Sequence, residues 1–171
     1  KSGNLVIVHN GIIENYDTLW KELISRGYTF QSDTDTEVLV NLIEEVQKQE
    51  KCKLGKAVQL ALTHVTGAYA IAVFDKKKPN EIVVAKLGSP IAIGVGKDNE
   101  EFFIASDASP FIEFTKNAVY LEDEEMAIIK LGRDIRVRKI MDDSRIKTSI
   151  QELRLSLEQI EKGGYDHFMI K

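Results

Sequence analysis

At Gly67 the hydrophobic periodicity of the chain changes, and this change constrains the fold more than any other feature. Before it, apolar residues recur at three- and four-residue spacing, the signature of helices with one buried stripe. After it, they come in short runs of strand length divided by turn residues. Helices followed by strands, without regular alternation, argue for an α+β fold with largely antiparallel sheets.

The helical half opens with an exception. Leu5-Val6-Ile7-Val8 is a β-branched run of strand length that ends at Asn10-Gly11, a turn signal. Residues 16–26 then read as a helix with Leu19, Trp20, Leu23 and Ile24 on one stripe, closed by Gly27. Residues 28–31 are a short strand candidate. Thr34 and Glu37 have the spacing of a capping box before a helix whose apolar face is Val38, Leu39, Leu42, Ile43 and Val46. Residues 48–53 form a charged connector to a third helix at 54–63.

Beyond Gly67, residues 68–74 and 81–86 flank a polar segment containing Pro79 and read as a hairpin. Further strands are expected at 91–95, 102–105, 118–121, 126–131 and 135–140. The last alternates Ile135 and Val137 against Arg136 and Arg138, a half-buried texture. Residues 151–162 return to a helical pattern, ended by Gly163-Gly164. No repeat or linker divides the chain, and at roughly 100–200 residues per domain its 171 residues suit one domain, residues 1–171.

Composition excludes several function classes. Lys and Arg total 23 against 27 Asp and Glu, a net charge of −4 without a basic block, which argues against nucleic acid as a partner. No apolar run approaches the ~20 residues of a membrane span. The apolar stretch before His9 is too short for a secretory signal. Cys52 is the single cysteine, so there is no internal disulfide and no Cys-rich zinc site. His9, His64 and His167 lie far apart, without ligand-pair spacing. The expectation is a cytoplasmic domain with no metal, no cofactor, no membrane and no nucleic acid.

Few residues invite chemistry. A backbone N–H at Asn10-Gly11, beside the Asn10 amide, can stabilise an oxyanion; the dipeptide alone equally reads as an ordinary tight turn. Asp35, at a helix N-terminus, is held ionised by the dipole and can bind an ammonium group; Asp is also simply favoured there. Cys52 lies between Lys51 and Lys53, which can lower a thiol pKa, yet it reads equally as an incidental surface residue. Gly94-Val95-Gly96 lacks the third glycine and the following helix of a phosphate loop, so it reads as a strand end. His9 reads as packed, and His64 as a helix-end cation. Ser89 and Ser106 sit in turn-like settings without a nucleophile elbow.

Six strings, taken in order, carry a resemblance. They are Val8-His9-Asn10-Gly11-Ile12-Ile13-Glu14-Asn15, Arg26-Gly27-Tyr28-Thr29-Phe30 with Ser32-Asp33-Thr34-Asp35-Thr36-Glu37-Val38, Gly67-Ala68-Tyr69-Ala70, Gly88-Ser89-Pro90-Ile91, Phe103-Ile104-Ala105-Ser106-Asp107 and Tyr165-Asp166-His167-Phe168-Met169-Ile170-Lys171. Over nearly its whole length the chain resembles class II glutamine amidotransferases, in particular the glutaminase domain of glucosamine-6-phosphate synthases.

The resemblance implies an N-terminal-nucleophile hydrolase fold, a four-layer αββα sandwich with antiparallel sheets, here lacking its first strands. It implies glutamine as substrate and ammonia passed to fructose 6-phosphate on a separate isomerase domain, in a homo-oligomeric parent without a cofactor. Asn10 and Gly11 match the family's oxyanion hole, and Asp35 matches the carboxylate that holds the α-amino group of glutamine. The family's nucleophile is a cysteine at the mature N-terminus, whereas this chain starts at Lys1. The loop containing Arg and Trp that grips the substrate carboxylate is missing too. The chain is therefore expected to be the C-terminal part of such a domain, inactive alone, with exposed sheet edges prone to self-association. Another class II amidotransferase, or a non-catalytic ligand-binding relative, is the alternative.

Overall fold

The computed structural model describes residues 3–148 and 150–152. The first strand, β1 (Leu5–Ile13), leads into three helices, α1 (Tyr16–Ser25), α2 (Asp35–Glu50) and α3 (Leu54–Leu62). Nine strands follow: β2 (Gly67–Asp75), β3 (Glu81–Leu87), β4 (Ala92–Val95), β5 (Phe102–Ala105), β6 (Asn117–Tyr120), β7 (Glu125–Lys130), β8 (Arg136–Lys139), β9 (Arg145–Ile146) and β10 (Gln151–Glu152). They form two antiparallel sheets, ordered β1-β2-β3-β7-β8-β9 and β10-β6-β4-β5.

The larger sheet is apolar on both faces, which explains the near-continuous run Ala70-Ile71-Ala72-Val73. Tyr69, Ile71 and Val73 of β2 point to the helices, with Val83 and Ala85 of β3 and Met126 and Ile128 of β7. Ala70, Val84, Ala127 and Ile129 point the other way, onto Ile93 and Val95 of β4 and Val119 of β6. Strand pleating makes this division automatic, because successive side chains take opposite faces. Against the first face α2 buries Val38, Leu39, Val40 and Ile43 almost completely. Each is worth about 1.5–3 kcal/mol. On the outer face of the smaller sheet, Phe111 of the 3-10 turn Ser109–Phe111 packs on Ala92 and Ala118. The layers are thus helices, sheet, sheet and a short cover.

Three local expectations are corrected. Asn10-Gly11 is not a turn: β1 runs straight through it, in continuous register with β2 from Leu5↔Asp75 to Ile13↔Gly67. Nine consecutive pairs outweigh the turn preference of one dipeptide. Residues 28–31 form no strand, because their backbone donors are used elsewhere. Gly27, at φ +92°, closes α1 by donating its N–H to Ile24 while Tyr28 N–H reaches Leu23. Gln31 N–H goes to the Glu37 carboxylate. Third, Gln151 and Glu152 do not begin a helix but pair with Ala118 and Asn117 of β6. The rest of that expected helix, and the string from Tyr165 to Lys171, lie outside the described residues.

The connector after α2 is also shorter than expected. The helix continues through Glu50, and Lys51 in the left-handed conformation ends it.

Candidate active site

The site forms where α2 starts beside the free edge of β1. Thr34 caps α2, its Oγ1 accepting the Glu37 N–H at 3.4 Å. The Glu37 side chain does not reach back to Thr34, as a simple capping box requires, but further, to Gln31 and Ser32. It accepts their N–H groups at 2.8 and 3.0 Å and the Ser32 hydroxyl at 2.7 Å. Burial opposes its charge, but the Ser32 hydroxyl and the two N–H groups prevail and hold its carboxyl below the ordinary value. This latch fixes the loop that delivers Asp35 to the first position of the helix.

β1 is the outermost strand of its sheet. Backbone bonds at its two ends, Lys76 N–H to Asn4 and Glu14 N–H to Thr66, both involve even-numbered residues of this stretch. The antiparallel alternation therefore directs the backbone groups of Val6, Val8, Asn10 and Ile12 toward β2. Those of Ile7, His9, Gly11 and Ile13 point to the open edge. Asp35 takes one of these edge donors: its Oδ2 accepts the Ile13 N–H at 2.8 Å. The Gly11 N–H, two residues back on the same edge, has no ladder partner.

Gly11 is required here. Its φ is +115°, and a Cβ at this position would lie 2.2 Å from the Ala68 carbonyl oxygen. Asn10 projects from the face of β1 that carries Val8 and Ile12, which are 66% and 69% exposed. Asn10 is itself exposed, and its amide makes no hydrogen bond among the described residues. Asp35 and the Gly11 N–H thus share the open edge of β1, while the Asn10 side chain stands on the exposed face of the strand away from α2.

His9 is the residue whose importance sequence reasoning missed. It was expected to be packed, and its side chain is only 1% exposed. Its Nδ1 lies 3.0 Å from the Thr36 hydroxyl and 3.9 Å from Asp35 Oδ1, while its Nε2 is buried without a partner. Burial pushes its pKa below the ordinary value; the nearby Asp35 carboxylate pulls the other way and is the weaker influence. The neutral ring holds the first turn of α2 against β1. A histidine immediately before Asn-Gly was the available signal, but only the strand register shows that it faces α2.

Cys52 does not belong to this site. It follows the far end of α2, half-buried against the helical core. The reading of Cys52 as incidental to the chemistry stands over activation by its lysine neighbours: burial raises its pKa, with Glu50 acting in the same direction. Gly94 is a packing residue, since a Cβ there would meet the Phe111 ring at 2.7 Å. His64 caps nothing with its side chain; its carbonyl accepts the Asn15 amide at 2.8 Å. Among the described residues no group of three or more His, Cys, Asp or Glu could hold a metal, and no helix is long and apolar enough to cross a membrane.

Comparison with known proteins shows the family and the fold. The chain is 49% identical over 172 residues to the glutamine–fructose-6-phosphate aminotransferase [isomerizing] of Bacteroides thetaiotaomicron, covering 99% of this chain and 27% of the relative. It is 50% identical over 171 residues to the enzyme of that name from Chlorobaculum tepidum, again covering 99% of this chain and 27% of the relative. The chain thus spans about a quarter of the length of these relatives. Among solved structures, a glutamine phosphoribosylpyrophosphate amidotransferase from B. subtilis matches with a TM-score of 0.68 and 27% identity, over 84% of this chain and 30% of the other. The expected α+β fold with antiparallel sheets, of the N-terminal-nucleophile hydrolase type, is the one found. The profile of the glutamine amidotransferase domain matches residues 1–113, and the chain belongs to that family.

Proposed function

We propose that this chain forms the glutamine site of a glutamine–fructose-6-phosphate aminotransferase and helps release ammonia from the amide. The observation that carries the proposal is the anchoring of Asp35 on the same strand edge as the Gly11 N–H. Two residues of strand separate the Ile13 and Gly11 donors by roughly 6–7 Å. An extended glutamine side chain bridges a comparable span between its α-ammonium and its amide oxygen. Asp35 Oδ2 is engaged by Ile13, which leaves Oδ1 for the ammonium.

When a nucleophile attacks the amide carbon, negative charge develops on the oxygen. The Gly11 N–H and the Asn10 side-chain amide are the donors placed to receive it. The family chemistry uses a cysteine thiolate and a glutamyl thioester. Cys52 lies beyond the far end of α2, away from Asp35, so the proposal gives it no part in this step. Ammonia would then pass to a separate domain holding fructose 6-phosphate. The proposal includes a cytoplasmic reaction and a homo-oligomeric parent.

The test is glutamine hydrolysis by the complete gene product, with and without fructose 6-phosphate, compared with its Asp35→Ala variant. Hydrolysis stimulated by the sugar phosphate and strongly weakened in the variant supports the proposal. Activity indifferent to Asp35 overturns the site assignment. Stimulation by a different acceptor favours another amidotransferase, consistent with the likeness to the phosphoribosylpyrophosphate enzyme.

A further inference from the structure

A second constellation lies at the other end of α2. Between the first turn of α3 and strands β7 and β8 is a cavity of about 200 Å³. Five cations line it: Lys53, Lys56, Lys130, Arg136 and Arg138. Only Glu81 and Asp143 oppose them. A local excess of positive charge is thus concentrated in a chain whose net charge is −4.

Strand alternation assembles the cluster. Val137 points into the core between the sheets, so Arg136 and Arg138 point to the helix side, as Lys130 does with Ile128. Gly55 lets α3 approach closely, for a Cβ there would lie 2.7 Å from Ile128 Cδ1.

The two acids do not neutralise the cluster. Asp143 is shared by Lys56 at 3.1 Å and Arg138 at 3.3 Å, and Glu81 receives Lys130 at 3.4 Å. Lys53 and Arg136 make no ion pair among the described residues. Arg138 Nε is buried and has no hydrogen-bond partner. The first turn of α3 adds to this positive field, since it has neither a side-chain cap nor an acidic residue.

We propose that this cavity binds the phosphoryl group of a small phosphorylated metabolite. Mixed Arg and Lys donors beside a helix N-terminus suit a compact, multiply charged oxyanion. A recess of this size, open to solvent at Lys53, Lys56 and Arg136, suits a phosphoryl group and part of its carrier better than a polypeptide segment. The site is separate from Asp35: the 16 residues of α2 place the two ends about 20 Å apart. It therefore stands or falls independently of the glutamine reading.

The experiment is titration of the chain with pyrophosphate and with inorganic phosphate, followed by two-dimensional NMR, with sodium chloride at matched ionic strength as control. Saturable shifts at Gly55 and Arg136, with a Kd below about 1 mM for pyrophosphate, support the site. The double variant Lys53→Gln, Arg136→Gln should weaken binding at least about tenfold. Because neither residue is ion-paired, its melting temperature should stay unchanged, which separates lost binding from lost folding. Shifts reproduced by sodium chloride, binding unaffected in the double variant, or tighter binding of a polyglutamate peptide than of pyrophosphate would each overturn the proposal.

Discussion

Asp35 Oδ2 accepts the backbone N–H of Ile13 at 2.8 Å, joining the first residue of α2 to the open edge of β1. An edge strand needs partners for its outward donors, and here a carboxylate supplies one. Under the proposed function the same bond leaves the second carboxylate oxygen for the ammonium group of glutamine. Asp35→Asn keeps an acceptor for Ile13 but removes the charge. L-Glutamine binding should weaken by about 1.5–3 kcal/mol, roughly one to two orders of magnitude in Kd. Calorimetry on wild type and variant measures this, and the variant should melt within a few degrees of wild type.

Gly11 makes a different prediction. Gly11→Ala places a methyl group against the Ala68 carbonyl and forces a positive φ on a side-chain-bearing residue. The strain should destabilise the protein by about 1–3 kcal/mol, read from chemical denaturation. An unchanged denaturation midpoint would show that β1 can relax without loss.

His9 should confer a pH dependence on stability. Its folded pKa lies below the ordinary 6.5 of the unfolded chain. Below pH 6.5 the unfolded state therefore binds more protons, and stability falls as pH drops from there toward the folded pKa. Above 6.5 the contribution is complete. Glu37 also has a lowered pKa, but its contribution is lost only as pH falls below its ordinary 4.5. His9→Gln should flatten the upper of these two windows and leave the lower one. Melting temperatures from pH 4 to pH 8 distinguish them, with NMR of the imidazole reporting the His9 titration directly.

The edge of β1 should also drive self-association. Among the described residues it presents backbone groups without ladder partners at Ile7, His9 and Gly11, beside the exposed Val8 and Ile12. Long apolar edges of this kind pair with other chains. Light scattering should show a mass that rises with concentration, and Val8→Lys should reduce it. A constant monomer mass across the range would exclude strand pairing at this edge.

Much of the architecture was legible because it depends on local chemistry. The switch at Gly67, the glycine after α1, the Thr34 cap and the paired strands β2 and β3 each follow from side-chain spacing or turn residues within a few positions. The resemblance strings pointed to Asn10, Gly11 and Asp35, the residues on which the proposed function rests, and the family match places the chain among glutamine amidotransferases.

What the sequence by itself determined was the class of fold, the helix faces and the residues available for chemistry. Tertiary structure alone decided that Asn10-Gly11 continues a strand, because nine pairs with β2 outweigh a local turn preference. It also decided that His9 faces Thr36 and Asp35, and that Lys53, Arg136 and Arg138 meet around one cavity. These are contacts between segments 26 or more positions apart, or consequences of which strand edge stays open. Local propensity carries no information about either, since both depend on how distant segments pair and pack.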